Sequence, residues 1–444
     1  MRQRQEVQKV PRQGPGLKRA AARLAARVAI DCALAGGACL LSPYLLWRFA
    51  TVKRWRVGFG ARLGLALPPP ETAGGLWIHT VSAGELLTAE PLIKRLAVEK
   101  PDLPLALSVT TAAAHTLASE RLASIPRFFW PLDFSPVVDR VLARVRPRLI
   151  VLVELELWPN FLLGAARRGV PCLVINGRIT AGSERRFGRV RPLARRLFNL
   201  VDRYGVQNEE YAARLERLGV PRDKLAVLGN LKFDVPRRED TPVAPVRAQL
   251  GLPPGRLVIV AGCTHPGEEE LLLRALPQLP GAGLVLAPRH LERVPEVLAL
   301  VRKSGRTPCT LGAGDAGDVL VVDRFGKLDS LYRAADLVVM GGTFVPHGGH
   351  NLLEPARWGA PIVFGPSIDN FRDIAVGLLD RGGAVMVPAP EEAPAALAAL
   401  CASPERRAAL GAGAHAVWSE GRGAIDRYLR LIDDMLRKET ACNG

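Results

Sequence analysis

Several features that would define common protein classes are missing from this 444-residue chain. Its seven cysteines are scattered and form no CxxC pair, which is typical of a reducing compartment and argues against a disulfide framework or a zinc site. Zinc-finger spacings, RNP-type aromatic strands and a basic helix beside a dimerising heptad are absent, so we expect no nucleic-acid partner. Aromatic residues are only 6% of the chain, but 48% of it is apolar, enough for two or three domains with their own cores.

Acidic residues are too few to balance the basic ones. The 60 lysines and arginines exceed the 43 aspartates and glutamates, which leaves a net charge of +17. Such an excess predicts an anionic partner. Since no nucleic-acid module is present, a membrane surface or a phosphorylated acceptor better explains arginines that are densest at positions 2–27, 48–62 and 178–203.

Charge is also sparse between residues 28 and 47, where Asp31 is the only charged residue. As a single helix this run would be about 30 Å long, enough to cross the core of a bilayer, and its basic flanks suit acidic head groups. We therefore predict a basic N-terminal segment at 1–27 and a membrane-anchor helix with its basic flank at 28–60. A helix lying in the membrane interface and a helix packed on the protein remain as alternatives.

Short apolar runs alternate with helical stretches after the three prolines at 68–70, which predicts βαβ units and parallel sheets. We therefore predict an α/β fold in which two Rossmann-like domains face a central cleft. The predicted boundaries are 61–235 for the N-terminal domain, 236–250 for a linker, 251–420 for the C-terminal domain and 421–444 for a C-terminal helix and tail. The predicted strands are 76–81, 105–109, 149–153, 172–175, 204–206, 225–228, 257–261, 283–286, 319–322, 337–340, 362–364 and 384–387.

The most unusual stretch is the glycine-rich segment at 341–366, which follows a predicted strand. Its glycines let the backbone approach a ligand closely, and Asn351 stands where a helix with Pro355 in its first turns would be capped. Free backbone N–H groups and a positive helix end at that point suit a phosphate, while the Glu354 carboxylate suits the two hydroxyls of a ribose. The segment predicts a nucleotide site, with an ordinary strand-to-helix loop as the alternative.

Two further loops of the C-terminal domain, at 262–268 and 288–290, also follow predicted strands. Arg289, which comes after Pro288, is the predicted phosphate clamp because a guanidinium binds phosphate oxygens in pairs. Five of the seven histidines are interpreted as residues of such loops, at positions 79, 265, 290, 347 and 350. No pair of them has helical i, i+4 spacing, so we predict no metal site.

Candidate catalytic residues lie in the N-terminal domain. Glu85 follows a predicted strand and can accept a proton from an attacking hydroxyl, although with Ser82 it also fits a helix-capping box. Glu154 and Glu156 end another apolar run, and we expect one of them to face the ligand with a pKa that is disturbed by the charge of the other. The alternative is an ordinary pair of solvated loop residues. Lys232 can stabilise negative charge on a leaving phosphate or an attacking oxygen, or it is a surface lysine.

Eight motifs in order carry a family resemblance that runs from about residue 40 to residue 435. They are HTVSAGE, PLDF, ELELWPN, QNEEYAARLERLG, GNLKFD, CTHPGEE, PRHLER and GGHNLLEP. Together they resemble the 3-deoxy-D-manno-octulosonic acid (Kdo) transferases of lipopolysaccharide synthesis, which are membrane-associated glycosyltransferases of the GT-B fold.

The resemblance implies an inverting transfer of Kdo from CMP-Kdo to a lipid A precursor (lipid IVA), without a cofactor or a metal. It implies an inner-membrane location with the catalytic domains on the cytoplasmic face. Glu85 matches the family's proton acceptor, while Glu154 and Lys232 match positions that stabilise the transition state. The residues that match the family's CMP contacts are Pro288, Arg289, Phe325, Gly326, Lys327, Asn351, Leu352, Leu353 and Glu354.

The chain departs from the family pattern most clearly at Lys327, where a glutamate is usual and the charge is reversed. If the family contacts this loop through its backbone, the change is benign; if the glutamate is an acceptor, donor affinity or nucleotide choice would change. Two other functions are therefore kept as alternatives. One is a UDP-sugar epimerase of the same architecture, and the other is a catalytically degenerate membrane-bound scaffold.

Overall fold

The computed structural model describes residues 17–234, 247–248, 253, 255–311 and 317–443. The chain divides into two compact units, the first formed by Met1–Asp234 with Gly423–Gly444 and the second by Val235–Arg422. The predicted linker at 236–250 lies outside the described residues except for 247 and 248, and so do the first sixteen residues of the predicted basic segment. The central cleft stays a prediction.

The first unit is built on a parallel sheet of seven strands in the order β3-β2-β1-β4-β5-β6-β7. Its central strands are buried along their whole length, as expected when helices cover both faces. The strand bounds are β1 Leu76–Thr80, β2 Leu105–Val109, β3 Arg127–Phe129, β4 Leu149–Val153, β5 Cys172–Gly177, β6 Arg203–Val206 and β7 Leu225–Val227. Because the chain order reverses between β1 and β4, the carboxyl ends of these two strands flank the crevice where such sheets bind ligands.

Helices of the first unit run before and between these strands. Their bounds are α1 Leu17–Leu40, α2 Ser42–Thr51, α3 Lys53–Arg56, α4 Phe59–Arg62, α5 Ala83–Glu99, α6 Ala112–Arg121, α7 Ser135–Val145, α8 Pro159–Arg167, α9 Ala181–Gly188, α10 Arg191–Phe198 and α11 Glu209–Arg217. Side chains of α7, α8, α10 and α11 form the core on one face of the sheet. The core on the other face contains α5, α6 and the C-terminal helix of the chain.

The second unit repeats the architecture with seven parallel strands in the order β10-β11-β9-β8-β12-β13-β14. The strands are β8 Leu257–Thr264, β9 Ala282–Pro288, β10 Pro308–Thr310, β11 Val319–Val321, β12 Leu337–Met340, β13 Ile362–Phe364 and β14 Ala384–Met386. The helices are α12 Glu268–Ala275, α13 Val294–Lys303, α14 Leu328–Ala334, α15 Leu353–Ala356, α16 Arg372–Asp380, α17 Ala393–Ala402 and α18 Pro404–Gly421. Here the chain order reverses between β8 and β12. The two parallel sheets confirm the predicted α/β class.

The last helix, α19 Ala424–Asn443, packs on the first unit. Tyr428 is fully buried there, and its hydroxyl donates hydrogen bonds to the carbonyl oxygens of Gly205 (3.2 Å) and Gly229 (3.0 Å). The start of the helix is held by Asp234, whose carboxylate accepts hydrogen bonds from the N–H groups of residues 423 (2.7 Å) and 425 (2.6 Å). The chain thus returns to complete the core of its N-terminal domain.

The helix predicted over the apolar run 28–47 is not continuous, because this run forms parts of α1 and α2 with a bend of 68° between them. Pro43 at the start of α2 lacks the backbone N–H that would continue the first helix. No single helix of the described residues is long and apolar enough to cross a membrane, although the bent pair together passes that test of length and composition. Its insertion in a membrane stays a prediction.

Polar contacts hold α1 against the first unit. Arg27 is only 3% exposed and donates hydrogen bonds to the carboxylate of Asp139 and the carbonyl of Ser135, both at 3.0 Å. Asp31 accepts hydrogen bonds from the Ser135 N–H (2.9 Å) and from the side-chain amide of Asn160 (2.8 Å). The lone charge of the apolar run is therefore satisfied by protein groups.

Candidate active site

Glu85 lies in the first turn of α5, directly beyond the carboxyl end of β1. Its carboxylate accepts hydrogen bonds from the Val81 N–H (2.7 Å) and the Ser82 hydroxyl (2.9 Å), and its own N–H donates to the Ser82 oxygen (3.3 Å). The Ser82 side chain therefore caps α5, as in the capping box considered from the sequence. Burial is the main cause that raises the pKa of Glu85, and the nearby charge of Glu154 raises it further. The carboxylate is fixed in place and is a stronger base than a solvated one.

Two more carboxylates stand beyond the carboxyl end of β4, the other strand at the reversal point. Glu154 has a φ of 61°, a left-handed conformation that is costly for a residue with a side chain. Burial, together with the charges of Glu85 and Glu154, raises the pKa of Glu156 to about 7. The structure thus brings the three glutamates together, and the neighbouring charges add to the effect of burial on the pKa of Glu156.

Lys232 joins this group from the short turn Leu231–Asp234. It is half-buried, so it is not an ordinary surface lysine. Burial lowers the pKa of its amine, whereas the nearby Glu154 charge raises it. The turn is placed by Asn176, a fully buried residue at the end of β5 whose side-chain oxygen accepts a hydrogen bond from the Leu231 N–H at 3.1 Å.

Asn176 and Asp133 position the site, and the sequence analysis gave neither residue a role. Asn176 has a φ of 53°, a conformation that asparagine tolerates better than most residues. Asp133, in the PLDF motif, accepts hydrogen bonds from the N–H groups of Asn160 (3.0 Å) and Phe161 (2.7 Å) and so fixes the start of α8 just after the loop that carries Glu154 and Glu156. Burial raises the pKa of Asp133 to about 6. The signal for Asp133 was its place within a motif, whereas Asn176 only follows the predicted strand 172–175.

His79 is not a loop residue, contrary to its interpretation from the sequence. It lies inside β1, fully buried, with its Nδ1 3.0 Å from the Ser108 hydroxyl and its ring stacked on Trp130 at 3.7 Å. Burial lowers its pKa to about 3, so the ring is neutral at physiological pH. His79 is therefore part of the core beneath the site.

In the second unit, the loops after β8 and β12 meet at the reversal point. A Cβ atom on Gly341 would lie 2.2 Å from the carbonyl oxygen of Cys263, so only glycine lets the two loops approach this closely. Glu268, which is 2% exposed, joins them through the N–H groups of His265 (2.9 Å) and, in the glycine-rich loop, of residues 342 (2.7 Å), 343 (3.1 Å) and 344 (3.0 Å). An internal carboxylate therefore binds the N–H groups of residues 342–344, which leaves the helix start near Asn351 as the predicted phosphate-facing part of the loop.

Four histidines gather beside these loops. The Nε2 atoms of His265 and His350 are 2.9 Å apart, His347 stacks on His265 at 3.9 Å, and His290 lies edge-on at 6.0 Å. Burial is the main cause that lowers the pKa of His265 and of His350 to about 4, so both rings are neutral at physiological pH. Among the described residues, no group of three or more histidines, cysteines or acids could hold a metal ion.

The helix predicted to begin at Asn351 is a single turn, Leu353–Ala356, and its N-cap position is occupied by Leu352. Asn351 still acts locally: its side-chain oxygen accepts a hydrogen bond from the Leu353 N–H (3.2 Å), and its amide donates to Glu354 (3.3 Å). The cap assigned to Asn351 is therefore wrong by one residue. A helix this short provides little of the dipole that was expected to bind phosphate.

The remaining nucleotide-binding candidates lie at the same carboxyl edge of the second sheet. Arg289 is exposed just after β9, and its N–H donates to the Thr264 carbonyl (3.0 Å). Burial raises the pKa of Glu354, which the nearby Arg289 charge opposes. Phe325 is 78% exposed in the loop before α14, which also contains Gly326 and Lys327. The Leu352 and Leu353 side chains are buried, so a ligand there would meet backbone or the neighbouring polar groups.

The two parallel α/β sheets resemble those of the GT-B glycosyltransferase fold. A solved glycosyltransferase from Rickettsia africae matches with a TM-score of 0.55 at 11% identity and covers 82% of this chain and 99% of its own. Anabaena HepE, solved in complex with UDP, matches with a TM-score of 0.54 at 16% identity and the same coverages. At such identities the likeness shows the fold alone.

The sequence relatives identify the family. The sequence model described as 3-Deoxy-D-manno-octulosonic-acid transferase (kdotransferase) matches residues 55–235. The 3-deoxy-D-manno-octulosonic acid transferase of Haemophilus influenzae is 30% identical over 87% of this chain and 93% of its own length. That of Bordetella pertussis is 33% identical over 89% and 97%. The chain belongs to the 3-deoxy-D-manno-octulosonic acid transferase family.

Proposed function

We propose that this protein transfers Kdo from CMP-Kdo to a lipid A precursor, lipid IVA, with inversion at the anomeric carbon and without a metal. The observation that carries the proposal is Glu85, a fixed carboxylate with a raised pKa at the crevice of the first sheet. Its place in the chain also matches the proton acceptor that the family resemblance implies. The acceptor's primary hydroxyl is the group from which it would take a proton.

The reaction forms one bond and breaks one. The acceptor oxygen attacks the anomeric carbon of Kdo as its proton passes to Glu85, and the bond from that carbon to the phosphate oxygen breaks, so CMP leaves with the electron pair. Positive character develops on the sugar, which the Glu154 carboxylate stabilises. In the same step, Lys232 stabilises negative charge that develops on the leaving phosphate or the attacking oxygen. In the second unit, Arg289 binds the phosphate and Glu354 the ribose.

Mass spectrometry of the lipid product tests this chemistry. Replacing Glu85 with alanine should lower turnover of lipid IVA by about 10²- to 10⁴-fold, the usual contribution of a general base. CMP binding, measured by calorimetry, should remain near that of the wild type. Glu120→Ala, which removes an exposed glutamate from α6, is the matched control. Turnover by Glu85→Ala equal to that of the control would remove Glu85 from the role of base.

The alternatives give different products in the same assays. Conversion of UDP-N-acetylglucosamine without use of CMP-Kdo would identify an epimerase. Absence of CMP binding by the wild type would favour a degenerate scaffold and would assign importance to the reversed charge at Lys327.

We also propose that the N-terminal helices associate with the inner membrane and leave the two units on its cytoplasmic face. Several large apolar side chains of α1 and α2 are exposed, among them Leu40, Leu46 and Trp47. Exposed apolar groups beside basic ones favour a membrane interface. Release of the protein from membranes by high salt alone would contradict an inserted anchor.

A further inference from the structure

Helices α9 and α10 of the first unit carry an unusual density of positive charge. Six arginines within this segment are exposed: Arg185, Arg186, Arg189, Arg191, Arg195 and Arg196. None of them forms an ion pair with another of the residues that the structure describes. The single acidic residue between positions 181 and 198, Glu184, is already paired with Arg217 (2.5 Å) and Arg214 (3.6 Å). The charge of this surface is therefore not neutralised from within the described chain.

Apolar side chains are exposed among these arginines. Val190 is 49% exposed and Leu193 is 67% exposed, whereas Ala194 and Phe198 point into the core from the same helix region. Leu193 and Arg196 are three residues apart, so they lie on one outward face of α10. A face that mixes arginine with large apolar residues matches the boundary of a bilayer, where guanidinium groups meet phosphates and apolar groups enter the acyl region.

The position of this surface agrees with that role. Buried residues of α10 belong to the same core as α7 and α8, on one face of the sheet. The first helix of the chain rests on the outside of α7 and α8, through Arg27 to Asp139 and through Arg23 to the Ala166 carbonyl (3.3 Å). The arginine surface and the N-terminal helices thus lie on the same face of the first unit. By contrast, α19 covers the opposite face.

We propose that the α9–α10 surface is a second membrane contact, which binds the anionic phospholipid of a bilayer. The six arginines are spread over twelve positions in two helices, so they line an extended surface and do not converge on a single phosphate. The sequence also lacks any nucleic-acid module, and the exposed Val190 and Leu193 suit a lipid surface better than a polynucleotide. The inference depends on the membrane association proposed above, but not on the transfer chemistry.

Vesicle co-sedimentation of the full chain tests the proposal. The vesicles are phosphatidylcholine alone, or phosphatidylcholine mixed with anionic phosphatidylglycerol. The variant R189Q/R191Q/R196Q should bind the mixed vesicles at least about tenfold more weakly at low salt, because each basic group near an anionic surface contributes roughly fivefold. Binding to neutral vesicles should not change. The control R430Q/R437Q/K438Q removes the same charge from exposed positions of α19 and should stay within about threefold of the wild type.

A lysine variant separates a membrane surface from a specific phosphate site. R189K/R191K/R196K keeps the charge but loses the paired guanidinium geometry, so it should bind the mixed vesicles like the wild type. A loss as large as that of the glutamine variant would overturn the proposal in favour of a shaped phosphate site. Equal binding by wild type and the glutamine variant, or an equal loss by the α19 control, would also overturn it.

Turnover of detergent-dispersed lipid IVA distinguishes this inference from the proposed function. The glutamine variant should turn over as fast as the wild type, since vesicle binding is not needed in detergent. A parallel loss of turnover would overturn lipid docking, because the arginines would then contact the acceptor. If the wild type binds mixed vesicles in this arginine-dependent way but transfers no Kdo, the proposed function fails and the surface stands.

Discussion

Replacing Glu156 with glutamine should make the first unit more stable at alkaline pH. Burial and the charges of Glu85 and Glu154 raise the pKa of Glu156 from 4.5 to about 7 in the folded protein. The folded state therefore holds this proton more tightly than the unfolded chain does. The stability that the proton provides is fully present below about pH 4.5 and is lost as the pH rises to about 7.

The size of the effect follows from the two pKa values. The difference between 4.5 and about 7 corresponds to about 3.4 kcal/mol for a fully desolvated carboxyl, at about 1.4 kcal/mol per pH unit. Because Glu156 is only half-buried, solvent screening reduces the expected effect to about 1–2 kcal/mol. Glutamine has nearly the same shape but no charge, so it removes this cost above neutral pH and leaves the stability at acid pH almost unchanged.

Urea unfolding at about pH 5 and about pH 8.5 measures this difference. Tryptophan fluorescence follows the unfolding of both units, and Trp77 and Trp130, which are buried in the core of the first, contribute its signal. Relative to the wild type, Glu156→Gln should gain about 1–2 kcal/mol at the higher pH and roughly a quarter of that at the lower one. Glu120→Gln, at an exposed position of α6, should show no such gain. A gain that is equal at both pH values would refute the reasoning, because it would not come from the ionised carboxylate.

Two further predictions concern packing, each with a control variant, and use urea midpoints as the measurement. Arg27→Ala should lower the free energy of unfolding by about 2–4 kcal/mol, since it removes a buried cation that pairs with Asp139. Arg167→Ala removes an exposed arginine that pairs with the same Asp139 carboxylate, and it should lower the free energy of unfolding by less than about 1 kcal/mol. Gly205→Ala should cost about 1–3 kcal/mol, because a Cβ atom would lie 2.5 Å from the Tyr428 ring. The control is Gly377→Ala in helix α16, where the added Cβ atom would meet no other atom within 4 Å. This variant should raise the free energy of unfolding by about 0.5–1 kcal/mol. Equal effects within either pair would contradict the packing described.

The strands of both sheets could be predicted because each is an apolar run bounded by loop residues. The two strands that the sequence analysis missed, Arg127–Phe129 and Pro308–Thr310, are three residues long and lie at sheet edges. So short a run shows no periodicity, and pairing with one neighbour is what makes it a strand. The helical pattern of α19 was also visible. The sequence did not show that this helix packs on the first unit, because an apolar face indicates that a helix is covered but does not identify what covers it.

Glu85 and Glu154 could be located because they follow the strands at the chain reversal, where parallel sheets place ligands. Asn176 could not, since its role depends on a backbone conformation and on a hydrogen bond to a turn 55 residues later in the chain. The bend after Leu40 was missed for a different reason. Hydropathy shows one continuous apolar run, whereas the bend depends on Pro43, which lacks the backbone N–H that would continue the first helix.

The hydrogen bonds within the glycine-rich loop limit how a phosphate could be bound in the second unit. Glu268 occupies the N–H groups of residues 342–344, and the single-turn helix near Asn351 adds little positive potential. The nearby Arg293 is bound by Glu269 (2.8 Å) and Glu296 (2.8 Å). Among the described residues around these loops, Arg289 and Lys327 are exposed cations without such an ion pair. We therefore expect a phosphate at this edge of the sheet to be bound by these two side chains and not by the N–H groups of residues 342–344.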